Sequence, residues 1–416
     1  MADIEVHIDF AAGSRRVGTL HRHARRGVEA ISFEYHSAWL EDSARFSLEP
    51  ALTLGRGAFV PAESLSIFGS IGDSAPDTWG RRLMQRAERR RAECERRAIR
   101  TLQESDYLLG VSDVSRLGAL RFRNPGQKVF QSPTSVGVPG LVELGRLLQA
   151  TERILRDDET DEDLQLIFAP GSSLGGARPK ASILDNDSRL SIAKFPKVTD
   201  EYSIELWESV GLILAQRAGI RTPDHQLLRV AGRPVLLSRR FDRTEETRIP
   251  FLSGLSMLGL KDGARGSYPE LVDALTQHGA RTRQDARELY RRMVLNILIS
   301  NVDDHLRNHG FLWSGPQGWT LSPVYDLNPT PIDIRPRILT TNINLDEATC
   351  DIDLALSSAE YFGLSSKDSK AIVKEVAGVT AAWREVATAA GASQSEIRRV
   401  ASAFEHGDLT RALSLG

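Results

Sequence analysis

The run NVDDHLRNHG, residues 301–310, constrains this chain more than any other stretch. It crowds carboxylates, imidazoles and amides together with neither a helical nor an alternating apolar period, so it reads as a loop presenting polar side chains. A second cluster, LSPVYDLN, follows at 321–328, and a glycine-rich run, GSSLGGARPK, stands well before both at 171–180. Glycines there let backbone N–H groups turn inward as a concave anion site, while Asp303, Asn308 and Asp326 offer oxygen ligands to a hard cation. Such pieces serve one chemistry only if distant stretches meet in a cleft. The 416-residue chain is too long for one ordinary core and suits two large lobes with a smaller module attached.

The glycine run is not a Walker loop, because the GK[ST] ending is missing and a strand rather than a helix follows. Lysine is scarce, 8 of the 53 basic residues, yet Lys180 and Lys194 both fall just after this run. Lys194 lies in SIAKFP, where a period of two puts it on the face of Ile192. A lysine among apolar strand neighbours needs an acidic partner. Glu208 is the natural candidate, on a helix face shared with Ile204, Gly211 and Ala215, and Glu205 is the fallback one turn earlier. Loop, strand lysine and helix glutamate in this order resemble the small lobe of a protein kinase.

Kinase catalytic loops place an Asp five residues before an Asn, and Asp303 and Asn308 have that spacing, whereas Asp304 does not. Asp303 is therefore read as the catalytic base and Asp326 as the second metal-binding residue beside Asn308. The rival reading takes His305 and His309 with Asp303 or Asp326 as a zinc or iron site. It needs a helix to align the imidazoles, while Asn308, Gly310 and Phe311 favour a loop.

Apolar residues make up 41% and charged residues 26% of the chain, with a net charge of −2, so no global field draws it to nucleic acid or membrane. No apolar run approaches a bilayer span, and the start lacks the pattern of a signal peptide, which points to a cytoplasmic protein. Cys94 and Cys350 are too far apart to suggest a disulfide framework or a zinc cluster. Residues 5–10, 17–21 and 28–35 read as extended segments of a small sheet. From 76 to 109 the pattern is helical. Residues 81–100 hold nine Arg against three Glu, read as a solvated face with Glu and Arg in i, i+4 support, or else as a docking surface for a partner or DNA. ALRFR at 119–123 reads as a strand, 124–140 as a linker, and 142–155 as a helix running into a solvated acidic stretch, DDETDED. The remainder gives a strand pair, a helix over 201–218, another strand pair, then helices, two short strands near Phe311 and Leu321, and a helical tail.

Taken in order, SLGGARPK (173–180), IAKF (192–195), SRRFDR (238–243), DDHLRN (303–308) and VYDL (324–327) resemble the motifs of HipA-like serine/threonine kinases, toxins of type II toxin–antitoxin modules. FGSIGDSAPDTWGRR (68–82) looks like the amino-terminal module of that family. The resemblance implies an α+β, two-lobed protein-kinase-like fold with an extra β-rich N-terminal module and a mostly helical C-terminal lobe. Its expected boundaries are 1–125 for the module, 140–240 for the small-lobe core and 241–416 for the helical lobe. It implies ATP and Mg²⁺ as cofactors. Ser172, Ser173, Gly175, Gly176, Ala177, Arg178, Pro179 and Lys180 would contact phosphates, Lys194 would anchor them with Glu208, and Arg239, Arg240 and Phe241 would form an adenine-binding hinge. His305, Arg307, Asn308, Tyr325 and Asp326 would surround phosphates and metal, with Asn308 and Asp326 as metal ligands, and Ser173 would be an autophosphorylation site. The resemblance further implies an aminoacyl-tRNA synthetase as protein substrate and a small helix-turn-helix, HipB-like antitoxin through which DNA is bound. The alternatives are a non-catalytic scaffold for antitoxin and DNA, or a small-molecule kinase.

Overall fold

The computed structural model describes residues 3–10, 13–25, 28–132, 137–168, 176–245 and 247–415. Strands β1 (Ile4–Phe10), β2 (Gly13–Arg25), β3 (Val28–Tyr35), β4 (Ala58–Phe59) and β5 (Leu120–Arg123) form an antiparallel sheet of order β4-β3-β2-β1-β5. Alternation drives it: Ile4, Val6 and Ile8 on β1 are fully buried on one face with Val17, Leu20, Phe33 and Phe122. β5 returns from far along the chain to pair Phe122 with Val6 at the edge of the sheet.

A second antiparallel sheet, β6-β7-β9-β8, is built from β6 (Lys180–Leu184), β7 (Leu190–Lys194), β8 (His225–Val230) and β9 (Arg233–Arg239). Ala181, Ile183, Ala193, Val235 and Leu237 face the helices Leu144–Leu155 and Asp161–Phe168 on one side. The other side, carrying Lys194 and Leu236, looks towards the helix Ile204–Arg217. The third sheet, β10 (Phe251–Ser253), β11 (Gly310–Trp313) and β12 (Trp319–Leu321), borders a mostly helical lobe centred on Thr282–Leu298, whose Leu289, Met293, Val294, Leu295, Ile297 and Leu298 are fully buried. The architecture is the two-lobed α+β fold with an N-terminal β-rich module. β10 has no counterpart in the sequence expectations, since three residues carry no periodic signal.

Two electrostatic expectations change. The arginine-rich helix Thr78–Cys94 and the acidic stretch after it do not face water separately; they face each other. Arg86 pairs with Asp157 and Glu159, and Arg90 with Asp161. Arg81 reaches Glu104, and Arg97 reaches Glu88 nine positions away. Asp163, buried at the start of its helix, pairs with Arg153. The pairs join different elements instead of running i, i+4 along one helix. Among the described residues, no helix is long and apolar enough to cross a membrane.

Candidate functional site

Lys194 ends β7 with its ammonium buried between carboxylates from two other elements. Its Nζ lies 2.6 and 2.9 Å from Glu208 Oε1 and Oε2 and also pairs with Asp326 Oδ1. Glu208 sits on the inward face of the helix Ile204–Arg217, which starts where the Ser203 hydroxyl accepts the Leu206 N–H at 3.3 Å. Glu208 Oε1 also accepts the backbone N–H of Asp326 at 3.1 Å. That bond holds Asp326 in left-handed backbone (φ 55°), a conformation uncommon for a residue with a side chain. Gly211, on the same helix face, has room for Leu327 because it lacks a side chain: a Cβ there would lie 2.8 Å from the Leu327 carbonyl oxygen.

Burial by itself would push the Lys194 ammonium towards its neutral form, yet Asp326 and Glu208 hold its pKa well above the usual lysine value. Burial raises the Glu208 carboxyl, with Lys194 opposing, whereas Lys194 and Lys180 overcome burial at Asp326 and keep it below its ordinary value. Glu205, the fallback partner, accepts from Arg178 at 2.8 Å instead.

Ser172, Ser173 and Gly175 lie outside the described residues. Gly176 has φ +106°, and a Cβ there would stand 3.1 Å from Lys180 Nζ and 4.0 Å from Asp326 Oδ2, so the end of the glycine run borders this cluster. Ala177 follows in the same turn, and the Pro179 carbonyl accepts the Phe195 N–H at 3.0 Å. Arg178, expected on phosphate, is forked onto Asp200 at 2.9 and 2.6 Å, so its side chain braces the loop against the helix start. Lys180 pairs with Asp77 at 2.7 Å.

The expected hinge is narrowed in a similar way. The Arg239 side chain lies among Asp185, Asp187 and Asp224, and its N–H donates to the Asp224 carbonyl. Arg240 is buried, forked onto Asp242 and bonded to the carbonyls of Ser115 and Arg116, while its N–H donates to Leu190. Both guanidinium groups bind protein, and both backbone N–H groups are used within the fold. The third residue of the expected hinge, Phe241, packs its ring 5.7 Å from that of Tyr325.

In the loop 301–310, Asp303 is exposed, and its Oδ1 accepts from Arg335 at 3.1 Å. Asn308 Nδ2 donates to the Asp303 carbonyl at 2.8 Å, which fixes the amide and turns its oxygen the other way. Asp304 is fully inside: Tyr268 donates to it at 2.8 Å and the N–H groups of Thr340 and Thr341 at 2.8 and 3.2 Å. Burial pushes its pKa up to about 7. Asp304 is thus a structural tie between the catalytic-type loop and residues 340–341. His309 is a core residue edge-on to Tyr268, lowered by burial to about 3, with Nε2 on the Asp304 carbonyl. His305 Nδ1 is buried with no hydrogen-bond partner among the described residues. Arg307 is forked onto Asp262 at 2.6 and 2.9 Å and reaches Asp73 at 3.1 Å, so it too is engaged within the protein. Its carbonyl accepts from the Tyr325 hydroxyl at 2.7 Å, tying the two motifs together.

Sequence reasoning passed over Asp73, Asp77, Asp262 and Arg335. Asp73 and Asp77 stand inside the FGSIGDSAPDTWGRR run, but nothing local says which cations they meet.

The model for the HipA N-terminal domain matches residues 8–105, and that for the HipA-like C-terminal domain matches residues 172–383, half of the chain. The chain is 24% identical over 178 residues to a Haemophilus influenzae protein named "Putative kinase", covering 38% of this chain and 52% of that one. It is 28% identical over 209 residues to "Putative kinase Y4dM" of Sinorhizobium fredii, covering 42% and 50%. It therefore spans about half the length of the curated relatives it matches. Its fold is similar to that of HipA from Shewanella oneidensis MR-1, solved with HipB and operator DNA, with a TM-score of 0.69 at 18% identity over 99% of this chain and 96% of that one. With both halves of the domain pair matched in order, this chain belongs to the HipA family.

Proposed function

We propose that this protein is an ATP-dependent kinase that phosphorylates a serine or threonine hydroxyl of a protein. The observation that carries the reading is the bridge of Lys194 between Glu208 and Asp326, tied through the adjacent Tyr325 hydroxyl to the Arg307 carbonyl of the loop that holds Asp303 and Asn308. In a low-dielectric cleft, fixed charges of this kind stabilise phosphoryl transfer without reorganising. Lys194 takes α- and β-phosphate oxygens and Glu208 orients it. Gly176, Ala177 and Lys180 line the triphosphate, with Arg178 bracing the loop from Asp200, and Phe241 and Tyr325 offer aromatic surface to the base. Asp303 takes the proton of the acceptor hydroxyl as its oxygen bonds to the γ-phosphorus and the bond to the ADP oxygen breaks. Mg²⁺ fits the donors present, a carboxylate oxygen of Asp326 and the amide oxygen of Asn308, and when bound it would neutralise phosphate charge. The unsatisfied, buried His305 Nδ1 is consistent with a polar ligand at this loop.

The finer reading follows the family: an aminoacyl-tRNA synthetase as substrate, growth arrest through stalled translation, Ser173 as an autophosphorylation site, and a HipB-like helix-turn-helix antitoxin that carries the DNA contact. Pairing of the arginine helix with acidic segments of the same chain weighs against direct DNA binding there. The test is transfer of label from ATP to the protein itself or to a co-purified substrate. Asp303→Ala and Asp326→Ala are each expected to lower it by at least about 100-fold, and wild-type labelling by both variants would sink the assignment.

A further inference from the structure

Lys180 and Lys194 are directly opposite each other in the β6–β7 register, so two ammonium groups enter the same cluster from neighbouring strands. Buried like charges repel unless each has its own counter-ion. Lys194 has Glu208, from the small-lobe helix. Lys180 has Asp77, from the amino-terminal module, at 2.7 Å, with the two side chains only 3% and 4% exposed. The Lys180 ammonium lies by Gly176 and contributes to lowering Asp326, so it stands at the phosphate side of the site and not behind it.

The two carboxylate oxygens of Asp77 serve different elements. Its Oδ1 caps the helix Thr78–Cys94 by accepting the Gly80 N–H at 2.8 Å, while Oδ2 holds Lys180. Two residues on, the Trp79 N–H donates to the Gly176 carbonyl at 3.3 Å, tying the same helix start to the glycine loop. Four residues earlier, Asp73 takes Arg307 of the loop 301–310 and the Ser253 N–H.

Building on the kinase reading, we propose that Asp77 is a positioning residue of the phosphate site. It does for Lys180 what Glu208 does for Lys194, which makes the amino-terminal module a working part of nucleotide binding.

Cap and charge can be separated in the full chain. Asp77→Asn and Asp77→Ser keep a capping oxygen and lose the charge; Asp77→Glu keeps the charge on a poor cap. The probe is Mg-ATP, read by titration calorimetry and by the split between KM and kcat. The Asn and Ser variants are expected to raise Kd and KM for ATP at least about tenfold with kcat changed less. The Glu variant is expected to stay nearer wild type in affinity while melting earlier. The reverse ranking, with Asn and Ser binding like wild type and Glu weak, makes Asp77 a cap only and overturns the proposal. Should the single neutral variants not fold, Asp77→Asn combined with Lys180→Met removes the stranded charge. Compared with Lys180→Met alone, the double variant is expected to bind Mg-ATP equally, because Asp77 acts only through Lys180; a further loss of affinity in the double variant overturns the proposal. Wild-type protein that binds no ATP would end the kinase reading itself, a result distinct from tight ATP binding that ignores Asp77.

Discussion

The Lys194 bridge and the loop that carries Asp303 are held in opposite ways. Lys194 and the buried Glu208 of the small lobe and the half-buried Asp326 of the helical lobe are locked to one another by bonds from strand, helix and loop. By contrast, Asp303 and its partner Arg335 have side chains 54% and 56% exposed. Charges that must meet the same small triphosphate every time gain from preorganisation in a dry site. A base that must accept hydroxyls on a macromolecule has to remain reachable. On the proposed kinase reading, nucleotide affinity would rest on the Lys194 bridge and acceptor access on Asp303.

The most severe challenge to this division is Lys194→Met, which strands the buried Glu208 and the half-buried Asp326 carboxylates. It is expected to cost about 3–5 kcal/mol of unfolding free energy and to lower phosphate transfer by at least about 100-fold, read by denaturant titration and ATP labelling. A loss of transfer with unchanged stability would mean that the bridge is not buried in solution.

Asp304 tests the buried tie beneath the exposed base. Its pKa is raised from 3.8 to about 7, so across that window the folded protein holds a proton that the unfolded chain has released. The contribution of this group is therefore largest at the acid end, falls as pH rises towards about 7, and is level above it. Asp304→Asn is expected to flatten that part of the stability profile, checked by denaturation midpoints at several pH values. An unchanged slope would mean that Asp304 is ionised throughout.

The smallest effect belongs to Arg335→Ala. An exposed pair contributes about 0–1 kcal/mol, so stability should scarcely move and transfer should change by less than about fivefold, measured by the same two assays. A large loss would show that Arg335 touches the reacting groups and that the exposed base, like the Lys194 bridge, depends on a fixed ion pair.

A second contrast explains how far the site could be read from the chain. Lys194 follows Ile192 on one strand face, and Glu208 shares a helix face with Gly211 and Ala215; the structure places both faces inward. Those relations depend on periods of 2 and 3.6 within a single element, which neighbours in sequence determine. The arginine helix was legible as a helix but not in its pairing, because the same periodicity is silent about an acidic segment some 70 positions on. Arg178 and Arg307, expected beside phosphate, and Arg240, expected in the adenine hinge, were each placed by the family resemblance, and each turned out to be forked onto protein carboxylates. Arginine suits either partner equally well, since its fork matches carboxylate and phosphate alike.

The amino-acid order alone set the chemical inventory, its sequence of appearance and the faces on which Lys194 and Glu208 lie. Tertiary structure decided that Glu208 rather than Glu205 meets Lys194, that Asp304 is buried while Asp303 is open, and that Asp77 and Asp73 of the first module reach Lys180 and Arg307 across 103 and 234 positions. The reason is physical: any carboxylate can satisfy a buried cation, and only the packing of whole surfaces selects which one arrives within reach.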